Sequence, residues 1–482
     1  MSMKASIFGL VALCASLTLL AQETGLSQVS AEQRFRQWDI DGDGKLTRDE
    51  VPVPRLFTWL DKDGDGAITM QEAGAFGGPQ QHRHRVGISG GAPLPPAEDF
   101  NPRPHGEEAK AAGLNPDVLA HIDIEMQRHI AAKNVAGVLA VIHHDGQRGY
   151  FEAFGWQDIE AQKPMSKDAI FRLQSMTKPL VAACALMLFD EGLFTLDEPI
   201  SKHCPEWAQP VVRENGRDVP ARNPITPRML MSHSSGLYYG TLEGGPFTGG
   251  AVGGSAGTNL GEYSRSLAGK PLKFHPGEGY SYGTSIDILG RYIEAVSGLP
   301  LDEFLRSRIL GPLKMVDTDF WVPQEKTARI AQLYSQPARG QLLRGRSSQQ
   351  ITTKPTLFLG GQGLCSTAAD YERFCLMLMN RGELDGVRIL KPETVDLMFQ
   401  NHLKVPGRKY GLGGAVDGVG GYAWGGANGT QFWIDRKNNL FAIFMVQTQR
   451  YKAPTYPVFR ALVNEAAGIP RNKGITARAQ HQ

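Results

Sequence analysis

The sequence predicts an α+β protein: an antiparallel sheet formed by both ends of a large domain and flanked by helices, with a helical subdomain beside it and a small α-helical module in front. Three observations carry this. Apolar runs of strand length, 137–142 and 150–155, open the large domain, and two more, 431–435 and 440–446, close it. Between them helical patterning dominates, over 179–190, 286–297 and 368–380. Ahead of them lie two acidic repeats and a stretch rich in glycine and proline. Strands at both ends with helices between imply a sheet that the two ends complete.

Composition narrows the function. The 482 residues carry 51 Lys and Arg against 49 Asp and Glu, a formal charge of +2. That balance excludes a general nucleic-acid binder and an acidic disordered scaffold. Five cysteines exclude a disulfide framework, and Cys184, Cys204, Cys365 and Cys375 match no zinc spacing and assign no disulfide. The first 21 residues hold one charge, Lys4, and an apolar run over 7–20 that is too short to span a bilayer comfortably. This is the pattern of a secretory signal peptide, cleaved near Ala21, so a periplasmic or secreted protein without a stable membrane span is expected. The expected plan is a signal peptide (1–21), an acidic module (30–75), a linker (76–112), a catalytic domain (113–470) and a tail (471–482).

In the acidic module two twelve-residue segments repeat with a period of 22: Asp39, Asp41, Asp43, Gly44, Glu50 and Asp61, Asp63, Asp65, Gly66, Glu72. Carboxylates at loop positions 1, 3 and 5 and a bidentate Glu at 12 surround a hard cation, with the backbone carbonyls of Lys45 and Ala67 at position 7. Leu46 and Ile68, at position 8, are apolar, as two paired loops require. The stretch resembles the EF-hand family, which implies structural calcium. Only ten residues separate the loops, including Pro52 and Pro54, so one short helix over 54–60 is all that fits.

Residues 73–106 hold seven glycines and six prolines in 34 positions, the composition of a linker. Its His82 and His84 are read as solvated side chains. The glycine-rich run 244–257 reads either as a mobile loop over the cleft or as a surface excursion. Order resumes at residue 116, where Leu119, Ile122, Met126 and Ile130 fall at helical spacing, and a closing helix is expected over 456–466.

One serine in the chain has a lysine three places on, Ser175 with Lys178. At i and i+3 of a helix the two side chains share a face, and the helix amino end adds a positive field. A hydroxyl is a weak nucleophile until a base takes its proton, and burial lowers a lysine's pKa enough to make it that base. Ser89 and Ser255 both satisfy G-x-S-x-G, but each lies in a glycine-rich loop without the strand and helix that a nucleophile elbow needs.

Five blocks, FRLQSMTKPLVAACALML, ITPRMLMSHSSGL, PGEGYSYGTSIDILGRYIEAVSG, GGQGLCSTAADYERFCLML and YAWGGANGTQFWID, span about residues 115–468 and resemble the serine β-lactamase and penicillin-binding superfamily. Within it the match is to the carboxylesterases related to class C β-lactamases. The resemblance implies Ser175 as acyl nucleophile, Lys178 as its basic partner and Tyr282 as the second-motif tyrosine, drawn toward phenolate by Lys178, with Tyr280 the rival. Thr284 stands where the family often has Asn, which leaves the amide contact to substrate open. Trp424-Gly425-Gly426 replaces the lysine-containing third motif of true lactamases, which favours a neutral ester, with Trp424 walling the pocket and the Ala427 N–H paired with that of Ser175 as oxyanion hole. The expected substrate is thus a small-molecule ester or lactam. Lactam or D-amino-peptide hydrolysis stays open, as does a calcium-dependent binding protein with an inert hydrolase domain. Catalysis itself needs no cofactor on this reading.

Overall fold

The computed structural model describes residues 39, 43, 45–47, 65–69, 91–240, 258–345 and 351–470, in two compact units, 1–88 and 89–482. The signal segment, the short helix expected over 54–60, His82, His84, Ser89, Ser255, the run 244–257 and the tail lie outside the described residues. So do Asp41, Glu50, Asp61, Asp63 and Glu72.

In the first unit β1 (Lys45–Thr47) and β2 (Ala67–Thr69) pair antiparallel, with Leu46 opposite Ile68 at 1% and 0% exposure. The apolar residues at loop position 8 meet as the repeat predicts. Asp43 Oδ1 accepts the Lys45 N–H at 2.8 Å, and Asp65 Oδ1 that of Ala67 at 2.9 Å. Each loop therefore turns around its position-5 carboxylate. Among the described residues no three acidic, His or Cys side chains stand together as a metal site.

The second unit is built on one sheet of β3 (Gly137–His144), β4 (Gln147–Asp158), β5 (Lys163–Pro164), β6 (Ala415–Val416), β7 (Gly421–Gly425), β8 (Gln431–Asp435) and β9 (Leu440–Met445). Its order is β6-β7-β8-β9-β3-β4-β5, antiparallel throughout. The seam between the domain's two ends runs from Leu440 opposite His144 to Met445 opposite Leu139. Helices α1 (Pro116–Ala131) and α5 (Thr455–Ala466) pack on one face. The other face carries the larger core, which contains α2 (Thr177–Asp190), α3 (Ser285–Ser297) and α4 (Ala368–Met379). Along β3, Leu139 and Val141 enter the larger core while Val138, Ala140 and Ile142 enter the smaller. A strand covered on both faces reads as an unbroken apolar run, which is why its sequence lacks alternation.

Local chemistry sets the element ends. Asn115 Oδ1 accepts the Asp117 N–H at 2.9 Å, and Pro116 fills the first position of α1, where no N–H is needed. Helix α2 is buried without a break from Thr177 to Leu188. A helix apolar all round belongs in the interior, and it carries Lys178 inside with it.

The expected linker ends earlier than residue 112. The described residues 91–112 form a 3₁₀ turn, Ala97–Asp99, and a helix, Glu107–Ala111, whose Ala109 joins Ala112 in the smaller core. The Arg103 N–H and His105 Nε2 meet the buried Asp123 carboxylate at 2.9 and 3.0 Å. Glycine and proline composition signalled a tether here because these partners lie elsewhere in the chain. Cys184, Cys204, Cys365 and Cys375 are buried and free.

Candidate active site

Ser175 lies in a single 3₁₀ turn, Gln174–Met176, just ahead of α2 rather than within its first turn. Gln174 has φ +49°, in the left-handed region that residues with side chains seldom adopt. The turn is held from several sides. Leu173 N–H donates to the Leu364 carbonyl at 2.9 Å, Leu364 N–H to Thr177 Oγ1 at 3.1 Å, and the Tyr371 hydroxyl to the Met176 carbonyl at 3.0 Å. Ser175 itself remains partly exposed.

Two side chains converge on its hydroxyl. The Tyr282 phenol donates to Ser175 Oγ at 2.6 Å, and Lys178 Nζ donates to the same oxygen at 3.3 Å. Lys178 Nζ also donates to the Gly361 carbonyl at 2.6 Å and stands 4.7 Å from the Tyr282 ring centre. Lys178 is 0% exposed, and that burial lowers its pKa because desolvation penalises the ammonium, with Asp287 opposing. Asp287, at the start of α3, accepts the Gly361 N–H at 2.7 Å; burial raises its carboxyl while Lys178 draws it back. One backbone residue thus bridges amine and carboxylate. A Cβ at Gly361 would stand 2.9 Å from Asp287 Oδ1 and 3.2 Å from the Tyr239 hydroxyl oxygen, so a side chain there would displace the Asp287 carboxylate.

Burial also pushes the Tyr282 phenol up, with the Ser175 hydrogen bond pulling back part of the way. This corrects the expectation that Lys178 draws it toward phenolate: in a dry site desolvation dominates and the phenol keeps its proton. Tyr280 makes no hydrogen bond to Ser175 among the described residues. Its ring lies 4.3 Å from the Arg408 guanidinium and 5.7 Å from the Tyr410 ring.

Trp424, near the end of β7, stands 5.5 Å from the Tyr282 ring and 5.1 Å, edge-on, from Tyr410. Gly425 and Gly426 permit close approach. A Cβ at Gly425 would lie 2.2 Å from Gln431 Oε1, and one at Gly426 would lie 2.2 Å from the Leu173 carbonyl oxygen and 2.4 Å from Thr430 Oγ1. The tip of β7 is therefore laid directly on the residues before Ser175, and Ala427 follows it with an N–H that has no hydrogen-bond partner among the described residues. Thr284, just before α3, is fully buried; its hydroxyl neither caps the helix nor finds another partner among the described residues.

Three positions escaped the sequence reading of the site. Asp287 and Gly361 were legible only as an acid on an apolar helix and a glycine pair. The third, His233, is 0% exposed with φ +55°, its ring 4.7 Å from Tyr282 and 5.4 Å from Tyr410. Burial, reinforced by Lys178, pushes it well below the usual imidazole range, so it is neutral, and neither ring nitrogen has a partner among the described residues.

An antiparallel sheet with helices on both faces, and a serine, a buried amine and a phenol gathered at its edge, are the features of the beta-lactamase fold. The Beta-lactamase family profile matches residues 123–465, and the chain belongs to that family. An EF hand profile matches residues 31–51. Among curated proteins the chain is similar to Lovastatin esterase of Penicillium rubens, 32% identical over 372 residues, covering 68% of this chain and 92% of the relative. It is also similar to Esterase EstB of Burkholderia gladioli, 27% identical over 399 residues, covering 73% and 98%. Among solved structures, EstCE1, described as a hydrolase with promiscuous acyltransferase activity, superposes with a TM-score of 0.61 at 25% identity, covering 72% of this chain and 98% of its own. The protein is a serine hydrolase of the carboxylesterase type.

Proposed function

We propose that the protein cleaves carboxylic esters through an acyl-enzyme on Ser175. The observation that carries this reading is the convergence of the Tyr282 phenol, at 2.6 Å, and the Lys178 amine, at 3.3 Å, on one partly exposed hydroxyl. A neutral Lys178 keeps one N–H on the Gly361 carbonyl and turns its lone pair to Ser175 Oγ. Oγ bonds to the ester carbonyl carbon as its proton passes to Nζ. The carbonyl oxygen, now anionic, is received by the N–H groups of Ser175 and Ala427, a contribution of about 3 kcal/mol per donor. Collapse breaks the bond to the alcohol oxygen, which takes the Tyr282 proton; Tyr282 regains one from Lys178. Water then attacks the acyl carbon and gives a proton to the same pair; the bond from the acyl carbon to Ser175 Oγ breaks as that pair returns a proton to Oγ, which releases the acid and restores the serine. Trp424, Gly425 and Gly426 are assigned to the substrate pocket in this reading, and the likeness to Lovastatin esterase and Esterase EstB supports an ester over a lactam.

The N-terminal repeats are assigned to structural calcium, held by Asp39, Asp41, Asp43, Lys45, Glu50 and by Asp61, Asp63, Asp65, Ala67, Glu72. The turns at Asp43 and Asp65 and the Leu46–Ile68 contact support this. Export, with cleavage near Ala21, completes the proposal. Ser175→Ala should abolish hydrolysis of short-chain p-nitrophenyl esters; retained turnover would discard Ser175 as nucleophile.

A further inference from the structure

Arg408 is partly buried, and its guanidinium lies 4.3 Å from the ring centre of Tyr280. That ring belongs to the cluster that walls the site: it is 6.1 Å from His233 and 5.7 Å from Tyr410, which in turn meet Tyr282 and Trp424. Four other partly buried guanidinium groups of this unit, those of Arg228, Arg329, Arg373 and Arg436, close on a carboxylate, whereas those of Arg172 and Arg460, the latter 5.2 Å from the Trp433 ring and outside the aromatic cluster of the site, do not among the described residues. Among the described residues Arg408 has no such partner. The acid that follows it in the chain, Asp417, is engaged by the backbone N–H groups of Val419 and Gly421, both at 2.8 Å. A guanidinium stacked on a ring uses its face; one Arg408 N–H reaches the Tyr280 hydroxyl, and the rest of its planar fork of donors matches a carboxylate.

From this geometry we infer that Arg408 is a specificity-determining residue that receives a carboxylate at the far end of the ester substrate. The inference rests on the esterase reading and narrows its substrate class to esters with a free carboxylate on the acyl chain or on the alcohol. The strand that ends in Trp424-Gly425-Gly426 brings no cation, and Arg408 supplies one from a neighbouring loop. The partly sheltered position matters because charge-assisted hydrogen bonds gain strength where water is scarce.

The test compares two matched pairs of esters. Mono-p-nitrophenyl adipate against p-nitrophenyl hexanoate probes the acyl side; the acetate ester of 4-hydroxyphenylacetic acid against that of its amide probes the alcohol side. In the unaltered protein the anionic member of at least one pair should have the higher kcat/KM, by about tenfold or more, mainly through KM. Arg408→Gln should collapse that ratio, Arg408→Lys should restore part of it, and Lys409→Gln, on the adjacent side chain, should leave it. Equal ratios in the unaltered protein and Arg408→Gln for both pairs, or an equal fall with Lys409→Gln, would overturn the assignment to Arg408 alone. Failure to turn over any of the four esters would overturn the esterase reading and this assignment with it.

Discussion

Asp287→Asn removes the carboxylate that faces Lys178 across the Gly361 backbone while keeping an acceptor for the Gly361 N–H. Burial lowers Lys178 and the Asp287 charge opposes that, so the substitution should lower Lys178 further. At an effective dielectric of about 20, opposite unit charges about 4 Å apart interact by about 4 kcal/mol, equivalent to about three pH units, and a pair bridged through one backbone residue interacts by less. Asp287 is itself raised by burial, so its charge is incomplete on the acidic side and about one pH unit is the expected shift there. If neutral Lys178 is the base, kcat/KM climbs as pH rises through its pKa. In Asp287→Asn the ascending limb, measured from pH 5 to 10 with a neutral p-nitrophenyl ester, should therefore move acidward by about one pH unit. A limb that stays in place or moves to higher pH would refute Lys178 as the titrating base.

Tyr282→Phe removes the phenol that donates to Ser175 and should lower kcat by about a hundredfold or more with little change in KM; Tyr280→Phe should cost less than about tenfold, and the reverse order in steady-state kinetics would exchange their roles. Lys178→Met with Asp287→Asn replaces a buried charged pair by neutral groups. The sign follows from the two directions: the cost of raised Asp287 sets in as pH rises through the carboxylate range and persists above it, and that of lowered Lys178 sets in as pH falls below the ordinary lysine range. Near neutrality both act, so the inactive double variant should gain about 1–3 kcal/mol and melt a few degrees higher by calorimetry; a lower Tm would show that the pair is net stabilising. Calcium at about 100 times its dissociation constant should stabilise the N-terminal unit by about 2.7 kcal/mol and leave the esterase rate unchanged. A Tm indifferent to chelator would remove the calcium assignment.

Much of this architecture was legible because it is local. The runs at 431–435 and 440–446 match strands Gln431–Asp435 and Leu440–Met445 to within one residue, and the helical spacing of Leu119, Ile122 and Met126 falls within the helix Pro116–Ala131. The Ser175–Lys178 spacing survives even though the serine sits in a 3₁₀ turn, because residues i and i+3 share a face in both a 3₁₀-helix, with about 3.0 residues per turn, and an α-helix, with about 3.6. What escaped was tertiary. Gly361 meets Asp287 across 74 positions, and no periodicity in either segment announces the contact. His233 reads in sequence as one polar residue among serines, and only burial among Tyr282 and Tyr410 gives it meaning. The tether expected up to residue 112 failed for the same reason: Asp123, its anchor, is a helix residue whose need for partners is invisible until the helix is placed. The charge state of Tyr282 was misjudged because proximity to an amine is evident from spacing, whereas desolvation is not.

Intact-mass analysis after brief exposure to esters of graded acyl length, followed by peptide mapping, measures the proposed chemistry itself. A mass increase equal to one acyl group, located on the peptide that contains Ser175 and missing from Ser175→Ala, is the result this account requires. An enzyme that turns the esters over with the acyl group trapped on a different side chain would contradict it.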